Sequence, residues 1–195
     1  MDLLVATTNP NKIKEIVAIL SDLPITLKTL RDFPAVDIPE ETGATFQANA
    51  RDKALYYARA TGGLTIAEDS GFEVEQLDGD PGVHSARYLR PDASYDERFR
   101  EIYQRLQARD VTASAARFVC ALSMADQDRI LFETTDCVEG DLAPAPAGDG
   151  GFGYDPIFYF PPYGKTFGQV SPIEKTAVSH RGKAIRALRE YLQCT

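Results

Sequence analysis

Residues 115–124 and 130–138 each alternate apolar and polar side chains, and only Ala125, Asp126, Gln127, Asp128 and Arg129 separate them. Alternation with a period of two turns one face of each run toward a core, and so short a connection joins antiparallel neighbours. A long antiparallel hairpin is therefore expected. Short apolar runs near Leu3, Leu64 and Phe72 supply further strands, while residues 45–61 and 94–106 carry apolar side chains at helical spacing. Two more helices announce their starts: Asn9 caps one that Pro10 opens, and Ser171, Pro172 and Glu174 form a capping box for another. The sum is an α/β fold, a mixed sheet flanked by helices with an antiparallel portion.

The 195 residues suit a single domain, 1–195, with room for a large core. A net charge of −8 argues against nucleic acid as a partner, because proteins that bind it displace counterions with a basic face. A small polyanion needs only a few local cations, and Lys12, Lys53, Lys175 and Arg181 are candidates. The three cysteines are scattered and lack a CxxC pair, which suggests neither zinc nor a disulfide framework and fits a reducing cytoplasm. No apolar run approaches the ~20 residues that span a bilayer, so no membrane association is expected.

Glu68, Asp69 and Ser70 follow the strand residues Leu64, Ile66 and Ala67, and Gly71 is expected to turn the chain away. Adjacent carboxylates stay ionised in solvent, beside a cation, or on a hard ion such as Mg2+. The turn is either solvated or a site. At the end of the first strand, Thr7, Thr8, Asn9, Pro10, Asn11 and Lys12 gather hydroxyls, amides, an ammonium and a helix start, a set that suits a phosphate, although capping alone accounts for Asn9 and Pro10. In the helix over 45–61, Asn49 and Lys53 fall inside the apolar stripe of Phe46, Ala50, Ala54 and Tyr57. Such a lysine either snorkels to water or enters a polar cavity that holds negative charge.

Within residues 140–163, Gly148, Gly150, Gly151 and Gly153 interleave with Phe152, Tyr154 and Asp155. Glycines admit a flat ligand close to the backbone, a ring stacks on a base and a carboxylate accepts from ring N–H groups, so a nucleobase fits; otherwise the aromatics tuck into the core. His180 and Arg181, at the break before the last helix, either hydrogen-bond a carbonyl-bearing base or complement the preceding helix dipole.

Five stretches, Ala6-Thr-Thr-Asn-Pro-Asn-Lys12, Glu40-Glu-Thr-Gly-Ala-Thr-Phe46, Glu68-Asp-Ser-Gly71, Gly151-Phe-Gly-Tyr-Asp-Pro-Ile-Phe158 and Ser179-His-Arg181, together resemble the inosine/xanthosine triphosphate pyrophosphatase family, in family order and nearly end to end. The resemblance implies an elongated mixed sheet, two lobes with a central substrate cleft, and a homodimer. It also implies Mg2+-dependent hydrolysis of dITP, ITP or XTP to the monophosphate and pyrophosphate. By the same carry-over, residues Thr7 to Lys12 bind the triphosphate, Lys53 faces it, and Glu40 and Asp69 hold the metal, with Asp69 also the proton acceptor. Ser70 contacts substrate, Phe152 stacks on the purine beside Gly153, and Tyr154, Asp155, Lys175, His180 and Arg181 surround the base. The sequence departs from the family pattern at Glu68, where many bacterial relatives have aspartate, and after Pro146, where some place an arginine.

Overall fold

A computed structural model of the chain describes residues 1–194. Its elements run β1 (Asp2–Val5), α1 (Pro10–Leu20), β2 (Thr26–Thr29), α2 (Phe46–Thr61), β3 (Leu64–Val74), α3 (Tyr95–Gln107), β4 (Ala115–Asp126), β5 (Arg129–Leu142), β6 (Phe158–Phe160), β7 (Lys165–Thr166), α4 (Pro172–Val178) and α5 (His180–Cys194). The strands hydrogen-bond in the order β2-β1-β3-β4-β5-β6-β7. β1 lies parallel to β2 and β3, whereas β6 is antiparallel to both β5 and β7, so the sheet is mixed as the sequence predicts. The hairpin runs further than its alternation suggests: β4 and β5 leave only Gln127 and Asp128 between them. The two caps read from the sequence form, with Asn9 Oδ1 accepting from the backbone N–H of Asn11 at 2.9 Å and of Lys12 at 3.4 Å and with a reciprocal Ser171–Glu174 box, and a further Ser94–Glu97 box opens α3.

The chain divides into two compact units, one of Met1–Ser70, Cys120–Asp136 and the segment from His180 on, the other of Gly71–Val119 and Cys137–Ser179. In the first, successive strand residues point to opposite faces of the sheet. Leu3, Val5 and Ile66 pack with Ile16 and Leu20 of α1 and with Ala184, Ile185 and Leu188 of α5. Leu4, Ala6 and Ala67 turn the other way, onto Ala54, Tyr57 and Ala58 of α2. This alternation decides which helix each residue further along β3 will meet. The second unit is built on aromatics, with Phe72 stacked on Tyr154 at 5.1 Å between ring centres and Phe158 edge-on to Phe167 at 4.7 Å.

One expectation is overturned here. Residues 68–71 are no turn, because β3 continues through them to Val74, and Glu68 and Asp69 are 5% and 6% exposed. Both carboxylates meet cationic partners, Arg181 and Lys12 for Glu68 and Lys53 for Asp69, which offset part of the cost of burial.

Candidate active site

Continuing the alternation of β3, Glu68 shares the face of Ile66 and Asp69 that of Ala67, so adjacent carboxylates enter different surroundings. Glu68 Oε1 lies 3.0 Å from Lys12 Nζ on α1 and accepts from Arg181 Nε on α5 at 3.0 Å. Arg181 also donates from Nη1 to Glu15 Oε2 at 2.6 Å and from Nη2 to Ser70 Oγ at 2.8 Å. Burial alone would raise the Glu68 carboxyl, but Arg181 and Lys12 outweigh it and hold it well below the usual carboxylate range. Cys120 Sγ stands 3.7 Å from Glu68 Oε2, and burial together with that carboxylate pushes its thiol up, so it remains a donor.

On the opposite face, Lys53 Nζ donates to Asp69 Oδ1 at 3.1 Å and to Glu41 Oε1 at 2.7 Å, while Asn49 Nδ2 donates to Asp69 Oδ2 at 3.0 Å. Burial pushes the Asp69 carboxyl up; Lys53 opposes that and Glu41 adds to it. The Lys53 ammonium is held above its ordinary range, burial being outweighed by Asp69 and Glu41. Lys53 therefore does not snorkel; it faces two carboxylates. Glu40 is exposed, and it is its neighbour Glu41 that meets Lys53.

The turn from β1 into α1 is more self-contained than its sequence suggests. Pro10 carries no N–H, Asn9 Oδ1 takes those of Asn11 and Lys12, and Asn9 O takes that of Ile13 at 3.1 Å. The first turn thus presents no free backbone donor, and what it offers an anion is the hydroxyls of Thr7 and Thr8 and the Lys12 ammonium.

In the second unit, Asp155 organises the glycine-rich loop. Its Oδ2 accepts from the Phe152 N–H at 2.7 Å and from Lys175 Nζ at 2.6 Å, and the same ammonium sits 4.4 Å from the centre of the half-buried Phe152 ring. Gly151 makes this possible: its φ is +70° and a Cβ there would lie 2.1 Å from Asp155 Oδ2. Gly153 continues the loop with a φ of +68°. Tyr154 is buried, with its ring stacked on Phe72 and its hydroxyl donating to the Ser85 carbonyl at 2.9 Å. His180, at the start of α5, is buried.

The sequence marks Asn49 as an amide within an apolar stripe without giving it a partner, and it offers no ground for preferring Glu41 to Glu40, because residues 40 and 41 lie in a loop with no periodicity to orient them. Among the described residues no three of His, Cys, Asp and Glu converge as a ready metal cage, and no helix is long and apolar enough to cross a membrane.

The sequence pattern of the Ham1 family matches residues 3–191. The chain is 46% identical over 192 residues to a dITP/XTP pyrophosphatase of Thermus thermophilus, covering 97% of this chain and 91% of that one. It is 44% identical to the dITP/XTP pyrophosphatase of Syntrophobacter fumaroxidans, covering 98% and 82%. Among solved structures, a HAM1 protein from Coxiella burnetii superimposes with a TM-score of 0.93 at 36% identity over the whole of both chains. The Staphylococcus aureus Ham1 protein gives 0.87 at 36% identity, over 99% and 98%.

Proposed function

The chain belongs to the Ham1 family, and on that premise we propose that it hydrolyses the non-standard purine nucleoside triphosphates dITP, ITP and XTP to the monophosphate and pyrophosphate. The observation that carries the reading is the buried Asp69, gripped by Lys53 and Asn49 beside Glu41. Attack of water on a polyphosphate is opposed by charge repulsion, so catalysis rests on neutralisation and positioning. In the first unit, Lys12, Thr7 and Thr8 would bind the phosphates, with Lys12 exchanging Glu68 for a phosphate oxygen, and Lys53 would face the same tail. Asp69 would orient the water and take its proton, a role its raised pKa favours and that typically contributes ~10²–10⁴ in rate.

Glu41 and Asp69 present oxygen donors around a single ammonium, a set of hard anionic ligands that fits a divalent cation such as Mg2+. We assign the metal to these two residues, with Glu41 in the place first given to Glu40. Bound there, the ion would neutralise the phosphates and polarise the bond to be broken.

In the second unit, Phe152, Gly153, Asp155 and Lys175 would receive the purine. The oxygen at C6 of inosine and xanthosine would accept from the His180–Arg181 step. ATP puts an amino group at C6, and a mismatch of that kind costs ~10⁴–10⁵ in kcat/KM. The resemblance also implies a homodimer, and the scattered cysteines fit a reducing cytoplasm; light scattering on eluted protein tests the dimer, and a monomer at working concentration refutes it.

Incubation with ITP, XTP, GTP and ATP plus Mg2+, with pyrophosphate separated from orthophosphate, tests the whole reading. Pyrophosphate from ITP and XTP supports it. Orthophosphate from ordinary nucleotides would mean a phosphohydrolase, and binding without turnover would mean a nucleotide sensor.

A further inference from the structure

Asn49 is 1% exposed and lies among apolar side chains of α2, where an amide is costly unless both its ends are hydrogen-bonded. Both are. Its Oδ1 accepts from the Gly43 backbone N–H at 2.8 Å and its Nδ2 donates to Asp69 Oδ2 at 3.0 Å. The orientation is not arbitrary, because a backbone N–H only donates: the atom facing Gly43 must be the oxygen, and the atom facing Asp69 must be the NH2. The approach is close enough to exclude a side chain at position 43, where a Cβ would lie 2.6 Å from Asn49 Oδ1 and 3.0 Å from Ala48 Cβ.

We propose that Asn49 is a positioning residue that fixes the rotation of the Asp69 carboxylate and ties to it the loop bearing Glu41. With Oδ2 held by Asn49 and Oδ1 by Lys53, the carboxylate is pinned at two points and can neither spin nor tilt. The same amide anchors Gly43, two residues beyond Glu41, so acid, ammonium and second carboxylate share one rigid helix as their frame. The inference rests on Asp69 being the base.

Three variants separate the bonds. Asn49→Asp keeps an oxygen for Gly43 but places an acceptor against Asp69; Asn49→Ala removes both bonds; Gly43→Ala drives the amide aside from the loop. Since a misplacement of ~1 Å costs roughly 10²-fold, Asn49→Asp should lower kcat for ITP about 10²-fold, with KM within about threefold because Lys12, Thr7 and Thr8, which Asn49 does not touch, still bind the phosphates. Gly43→Ala should lower kcat in the same sense. Exchange of the Gly43 amide hydrogen, followed by NMR without substrate, should stay slow in Asn49→Asp and become fast in Asn49→Ala. A folded Asn49→Asp protein with kcat within about twofold of wild type overturns the proposal, as does a loss confined to KM or a Gly43 amide that is unprotected to begin with. If Asn49→Ala does not fold, the other two variants decide. Turnover surviving Asp69→Asn would instead sink the assignment of the base, whereas a dead Asp69→Asn beside a fully active Asn49→Asp sinks only the positioning role.

Discussion

Replacing Arg181 by methionine should destabilise the protein far more than a surface arginine would. The side chains of Arg181 and Glu68 are 3% and 2% exposed, and the guanidinium also serves Glu15 and Ser70. Removing one partner of a buried ion pair typically costs ~3–5 kcal/mol because the other charge is stranded. Lys12 stays 3.0 Å from Glu68, so the loss should fall at the lower end, about 3 kcal/mol. For a chain of this length each kcal/mol moves Tm by ~2–4 °C, giving a drop of roughly 6–12 °C. The pH dependence has a definite sign. The Glu68 carboxyl is depressed in the folded protein, so its contribution is complete above its unfolded pKa and is lost as pH falls through the folded one. The variant lacks the cation that depresses it, so its deficit should be largest near neutrality and narrow toward acid. Thermal melts of wild type, Arg181→Met and Arg181→Met/Glu68→Gln at neutral and acid pH provide the assay. A single variant melting within about 2 °C of wild type at neutral pH refutes the reasoning, as does a double variant no more stable than the single.

Other perturbations bear on the chemistry. Asp69→Asn should leave the far-ultraviolet dichroism unchanged and abolish pyrophosphate release from ITP; retained turnover in a folded protein refutes the base. Glu41→Gln should reduce kcat/KM by about 10²-fold, while Glu40→Gln, altering an exposed side chain, should stay within about twofold; the reverse order would restore Glu40 as the ligand. Gly151→Ala forces a Cβ onto Asp155 Oδ2 at a φ of +70°, so it should raise KM for ITP with kcat little changed, and an unaltered KM counts against the loop as the base site.

Two helix starts were legible because their causes are local: Asn9-Pro10 and Ser171 with Glu174 each complete their hydrogen bonds within a few residues. The hairpin was legible for the same reason, since alternation is a property of the segment. The course of β3 was not. Whether Glu68 can be buried depends on Arg181, 113 positions away, and no window around Thr65–Phe72 contains that cation. The packing of Tyr154 stayed open on similar grounds, because its glycine-rich setting resembles a ligand loop while its partners Phe72 and Ser85 lie far upstream.

The fate of the paired acids follows from geometry more than from composition. Residues 68 and 69 are consecutive in a strand, so their side chains leave opposite faces of the sheet and cannot share surroundings. Glu68 meets a guanidinium and an ammonium whose attraction exceeds the penalty of burial, and it stays ionised as a fixed anion that holds Arg181 and Lys12. Asp69 meets one ammonium, already shared with Glu41, and an amide; here burial wins and the carboxyl is raised. A depressed acid makes a poor base and a good strut, whereas a raised acid accepts a proton readily. A one-residue slip of β3 would put the aspartate against Arg181 and take it away from Lys53 and Asn49, so under the proposed mechanism the register of this strand, set by Ile66 and Ala67 packing on opposite faces, matters to catalysis as well as to the core.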